Sequence, residues 1–183
     1  MRKWNAIITA MILLLFVIHM IWGGLILIGS VQGGNSFFSC LSTILLILIG
    51  IHVLIGVKLT IDTVIAQKKS GVSYRKENRL FYIRRFSGLA LMFFIAAHVF
   101  IFNGKTVNGV YFLHVFDVMA LISQILMVVS LLVHILSNIT PLRIALGFKD
   151  KGEFRTDLLF IFSILLLLAG MAFVVYFIRW LII

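Results

Sequence analysis

Four histidines set the chemical problem in this 183-residue chain: His19, His52, His98 and His134 each fall within a different long apolar stretch. An imidazole inside such a stretch is costly enough to be functional by default. A single one is readily explained as an interhelical hydrogen-bonding residue. Four of them, one in each of the first four apolar stretches and none in the fifth, point to ligation. Neutral imidazole is the usual nitrogen ligand for iron, and a b-type haem held in a helix bundle needs two, facing each other from different helices. Two pairs would hold two haems. The lone Cys40 shows no metal-site spacing and excludes an internal disulfide, so it is expected to be a free thiol.

The elements that must position these rings follow from composition. With 62% hydrophobic and 12% charged residues and a mean hydropathy of +1.18, the chain is far more apolar than a soluble domain and is expected to be an integral membrane protein. The apolar runs are continuous, which excludes barrel strands and leaves helices as the elements that satisfy their own backbone in lipid. Five spans are expected in a single domain over residues 1–183: Trp4–Gly29, Phe37–Ile65, Phe86–Phe102, Val110–Ile139 and Leu158–Ile178. The expected fold class is therefore an all-α membrane protein whose first four helices form a haem-binding bundle. A cleaved leader is not expected, because the first apolar run continues past His19 and Trp22 without a small-residue cleavage site. Pro141 is expected to break or kink the fourth span near its end.

Most of the 16 lysines and arginines fall at the N-terminus (Arg2, Lys3), between the second and third spans, and between the fourth and fifth. The positive-inside rule then predicts a cytoplasmic N-terminus and an external C-terminus; the expected location is a bacterial cytoplasmic membrane, crossed several times. Topology accounts for most of the net charge of +10, so no nucleic acid partner is needed; anionic membrane lipid or an acidic partner fits the remainder.

Depth suggests the pairing. At 1.5 Å per residue His98 lies roughly 10 Å from Lys105, His19 roughly 20 Å from Gln32, His52 roughly 25 Å from Asn35 and His134 about 35 Å from Tyr111. His19 is thus matched with His98 nearer the outside and His52 with His134 nearer the cytoplasm. Gly23 follows His19 by four residues and Gly56 follows His52 likewise, so bare backbone on each ligand's own face could accept a flat macrocycle or, equally, a close helix neighbour. Arg84, Arg85, Lys58 and Arg143 lie at or near the cytoplasmic boundary, as partners for haem propionates or as interfacial anchors.

The run Arg85-Phe86-Ser87-Gly88 followed ten residues later by His98, His52-x-x-x-Gly56-Val57 before a basic loop, and Gly147 beyond His134 resemble the dihaem cytochrome b anchor of succinate:quinone and quinol:fumarate reductases. The resemblance covers all five spans in order. It implies a proximal haem on His52 and His134, a distal haem on His19 and His98, and contacts from Ser87 and nearby basic residues to haem or partner. It also implies flavoprotein and iron–sulfur subunits on the cytoplasmic face and a quinone, menaquinone or ubiquinone, in the membrane. The chain would be an electron-transfer and quinone-reactive subunit of a respiratory complex, with substrate chemistry left to the partner.

Asn138 stands where that family has glycine, and intramembrane glutamates are absent. His114, Asp117 and Gln124 are the candidate quinone or proton residues. The chain is short for the family, which leaves room for another flavoprotein partner. Two other classes fit the sequence: a dihaem cytochrome b passing electrons from quinol to superoxide or an extracytoplasmic acceptor, and a haem-free small transporter or scaffold.

Overall fold

The computed structural model describes residues 2–71, 79–107, 110–112, 115–148 and 152–182. Five helices follow one another: α1 (Arg2–Leu27), α2 (Ser36–Ser70), α3 (Arg79–Phe102), α4 (Val118–Ala145) and α5 (Gly152–Ile182). Each is long and apolar enough to cross a membrane, and the protein is an all-α multi-pass membrane fold. Large apolar side chains such as Leu14, Leu54, Phe93 and Leu167 point outward, as a lipid-facing surface requires. Because the helices alternate in direction, the N-terminus and the α2–α3 and α4–α5 connections share one end, called here the basic end.

The start of the fourth span is corrected, and of the two expected effects of Pro141 a break is excluded. The span starts at Val118, not near Val110, because Val110–Phe112 pairs as strand β2 with β1 (Lys105–Val107), Lys105 opposite Phe112 and Val107 opposite Val110. These β-branched and aromatic residues are as apolar as a span but favour a pleated backbone. Asp117 then caps the helix, its carboxylate accepting from Ala120 N at 2.7 Å. The later start places His134 roughly 24 Å into α4, close to the roughly 25 Å of His52 into α2.

Pro141 does not end α4, which continues to Ala145. Proline has no N–H to give to the carbonyl four residues back, Ser137, and an orphaned carbonyl in lipid costs several kcal/mol. Arg84 fills the vacancy from α3: its Nε donates to Ser137 O at 2.7 Å. Two residues that looked unrelated in the sequence thus form one joint between α3 and α4.

Helix α3 packs along α4, α4 along α5, and α1 along α2 and α5, with a lighter approach to α4. Among these elements α2 packs closely on α1 alone, and it stands apart from α3. At the end opposite the basic one, Leu27, Phe116, Ala120, Ala172 and Phe173 form the packed core, with Phe102, Tyr176 and Trp180 around it. Helix α1 closes there at Gly29, whose φ of 83° is one that a side chain rarely adopts. The Arg179 guanidinium of α5 occupies the space where a Cβ would be, and Arg179 Nη1 donates to Leu27 O at 2.8 Å.

The Arg84–Pro141 joint is directly testable. Arg84→Leu should lower stability in detergent by about 1–3 kcal/mol, the cost of an unsatisfied buried carbonyl. Adding Pro141→Ala, which returns an N–H to Ser137 O, should recover part of that loss; chemical unfolding that shows no recovery would contradict the joint.

Candidate functional site

Helix rotation brings the four histidines into two layers. His19 of α1 faces His98 of α3, with ring centroids 6.1 Å apart and ring planes at 77°. Nearer the basic end, His52 of α2 and His134 of α4 make up the second layer. In each layer the two histidines come from helices that run in the same direction.

Every one of these rings is held through Nδ1 by an oxygen on a different helix. His19 meets Ser42 Oγ of α2 at 3.0 Å, and His52 meets Thr9 Oγ1 of α1 at 3.2 Å. His98 meets Gln124 Oε1 of α4 at 2.7 Å, and His134 meets Ser87 Oγ of α3 at 3.1 Å. The contacts are reciprocal: α1 and α2 each anchor the other's histidine, and so do α3 and α4.

The hydrogen on each ring can be assigned from these partners. A hydroxyl has one proton to give. Ser42 gives its proton to Phe38 O at 2.8 Å, Thr9 to Asn5 O at 2.8 Å and Ser87 to Arg84 O at 3.2 Å. With its proton on the carbonyl, each hydroxyl oxygen accepts from a histidine that carries its hydrogen on Nδ1; the preference is clearest at Ser42 and Thr9, whose carbonyl partners are nearer than the ring nitrogen. Gln124 is oriented in the same way. Its Nε2 donates to Ser123 Oγ at 3.0 Å, and Ser123 donates to Ala120 O at 2.7 Å, so Oε1 is left to accept from His98. These partners fit an Nδ1–H tautomer at all four rings, which leaves each Nε2 lone pair with no hydrogen-bond partner among the described residues. That is the state of a histidine ready to bind a metal, with its other nitrogen fixed from behind.

Space and charge are distributed unevenly around the layers. A side chain at Gly23 would meet nothing within 4 Å, and one at Gly56 would have Arg85 Nη1 at 3.9 Å. Gly88, by contrast, is tightly neighboured: a Cβ there would lie 3.3 Å from His134 Cε1, so its absence lets His134 lie close against α3. Arg85 reaches across the interval between α3 and α2, its Nη1 at 3.4 Å from Gly56 O and its guanidinium 5.1 Å from the Phe81 ring centre. Arg143 is buried within α4, Ser87 is buried beside Arg84 and Arg85, and Lys58 is exposed on α2. Several buried polar atoms have no partner among the described residues: Asn5 Oδ1, one turn from Thr9; Trp22 Nε1, one turn from His19; and Arg85 Nε. Such atoms in a membrane interior are places where a polar ligand group would be accommodated.

Of the candidate quinone residues, His114 lies outside the described residues. Asp117 and Gln124 are committed elsewhere, Asp117 to the α4 cap and Gln124 to His98. Asn138 turns back to its own helix, its Nδ2 donating to His134 O at 2.8 Å. The residues that the sequence did not reveal as part of the site are Thr9, Ser42, Gly88 and, from α5, Phe173, whose ring lies 6.2 Å from that of His98. In the sequence Thr9 is a lone hydroxyl in an apolar run and Ser42 is one of several, beside Ser39 and Thr43.

Among the described residues no three or more His, Cys, Asp or Glu converge, so a bare ion would find two protein ligands in each layer. A macrocycle that brings its own equatorial nitrogens needs only two. The steric asymmetry predicts unequal mutational costs. Gly88→Val should destabilise the chain by about 1–3 kcal/mol through overpacking against His134, whereas Gly23→Ala should be neutral or stabilising by up to about 1 kcal/mol. Thermal unfolding in detergent distinguishes them, and equal effects would contradict the described packing.

Comparison of the chain with protein-family models, with curated proteins and with solved structures gives no match.

Proposed function

We propose that this protein is a dihaem cytochrome b membrane anchor, carrying electrons between a membrane quinone and a cytoplasmic flavoprotein and iron–sulfur partner of the succinate dehydrogenase or fumarate reductase type. One observation carries the haem assignment: two layers of paired histidines, each ring fixed at Nδ1 from another helix and each Nε2 unengaged. The 6.1 Å between the His19 and His98 ring centres supports it. Two nitrogen–metal bonds of about 2 Å plus the offset of each nitrogen from its ring centre give roughly 6 Å.

His19 and His98 would be the axial ligands of one b-type haem and His52 and His134 those of the other. Gly23 and Gly56 leave bare backbone beside them. At the basic end Arg85, with Arg84, Arg143 and Lys58, supplies positive charge for haem carboxylates. The bound haems supply reversible one-electron transfer at iron. The chain holds each imidazole in one tautomer, excludes water with apolar helices and sets the order of the layers. Thr9, which anchors His52, lies ten residues before His19 on α1, so the layers are roughly 15 Å apart along a hydrocarbon core of about 30 Å. Electrons could therefore cross most of the membrane in two stages.

The basic end is assigned to the cytoplasm on the distribution of lysine and arginine, in a bacterial cytoplasmic membrane. There the same charge offers a surface for acidic soluble subunits. The reading expects those subunits to co-purify with the protein; a preparation that holds haem but no soluble subunit would favour a dihaem cytochrome serving an extracytoplasmic acceptor instead.

Histidine replacements test the pairing. His19→Ala and His98→Ala should each remove one and the same haem, and His52→Ala and His134→Ala the other, resolved by redox titration of the reduced-minus-oxidised spectrum. Loss of different haems from the two members of a pair would refute the arrangement.

A further inference from the structure

Gln124 differs in kind from the other three anchoring residues. It is fully buried, with 0% of its surface exposed, at a depth where an amide is expensive to place. It presents a carbonyl oxygen, whereas Thr9, Ser42 and Ser87 present hydroxyls, and its contact with the ring, at 2.7 Å, is shorter than their 3.0–3.2 Å. The direction of that contact is also locked. Ser123 has given its only proton to Ala120 O, so its oxygen can only accept, which holds Gln124 Nε2 toward Ser123 and Oε1 toward His98. With the hydrogen on His98 Nδ1 and the Ser123 proton on Ala120 O, rotating the amide would bring two donors together at His98 and leave the Ser123 oxygen facing another acceptor. Around His98 the rings of Phe102 and Phe173, with centroids at 5.0 and 6.2 Å, keep the surroundings apolar, where such a bond is strongest.

We propose that Gln124 is a positioning residue that strengthens His98 as a ligand: by accepting the Nδ1–H into a carbonyl that cannot turn away, it increases electron donation through Nε2. The inference rests on the dihaem reading of the histidine pairs. A more strongly donating imidazole stabilises ferric over ferrous iron, because the oxidised metal gains more from donated charge. Gln124 therefore lowers the reduction potential of the haem held by His19 and His98 and leaves the other largely unaffected. This gives Gln124 a task at the metal in place of the quinone or proton role that its sequence position suggested.

The test is a redox titration of the purified haem-loaded protein, followed in the visible spectrum, for wild type, Gln124→Leu and Gln124→Glu. Leucine fills the space but has no acceptor. It should shift the one-electron equilibrium of one haem about tenfold toward reduction, about 59 mV, and the haem that shifts should be the one lost in His19→Ala. Glutamate keeps an acceptor oxygen whether or not it is ionised, so that midpoint should stay at or below the wild-type value. If Gln124→Leu fails to assemble, Ser123→Ala, which frees the amide to turn, should give a smaller shift in the same direction. Equal shifts of the same sign in the leucine and glutamate variants would indicate a packing effect and overturn the proposal, as would two intact haems whose midpoints ignore these substitutions. Absence of haem from the wild-type protein would instead overturn the dihaem reading, and this inference with it.

Discussion

A polar atom in the hydrocarbon core must find its partner inside the protein, and the four histidine anchors are one response to that constraint. Each hydroxyl at this depth gives its proton to a carbonyl of its own helix, an ordinary way to quiet serine or threonine in lipid. What remains is an oxygen that can only accept. Set against a histidine on the neighbouring helix, it dictates which ring nitrogen carries the hydrogen. The tautomer suited to metal binding at Nε2 thus follows from where each hydroxyl places its proton.

The same constraint explains the joints between helices. Pro141 removes a donor from α4, and Arg84 of α3 supplies one to the freed Ser137 carbonyl. At the opposite end the last carbonyls of α1 lack intrahelical donors, and Arg179 of α5 supplies one to Leu27. Arginine is suited to both tasks because a long apolar stem carries a planar group with several N–H donors. Lipid is as apolar as leucine, so association of these helices draws on close packing and on such polar contacts more than on the hydrophobic effect. Gly88 belongs to the first kind, bringing His134 against α3.

How much of this was legible in the sequence depends on whether a feature is set by composition or by rotation. The five spans and the one-per-helix distribution of His19, His52, His98 and His134 follow from apolar run length alone. The α4 start was missed because Val110–Phe112 is as apolar as the helix it precedes, and only strand pairing separates them. That α4 continues past Pro141 is not legible locally, because the carbonyl the proline leaves free is met by Arg84, more than fifty residues away in the chain. Thr9, Ser42 and Ser87 were invisible as anchors because their partners are fixed by the angle at which adjacent helices face each other. Gln124 was noticed as a polar residue in a span, but its direction could be read only once Ser123 and His98 were placed on either side of it.

The central claim is that the two histidine layers hold two b-type haems. It is tested most directly by the ratio of haem to polypeptide in the purified wild-type protein, from the alkaline pyridine spectrum against quantitative amino-acid analysis. The account predicts two haems of b type per chain, both low-spin with two nitrogen ligands. A ratio of one, or none, would contradict it.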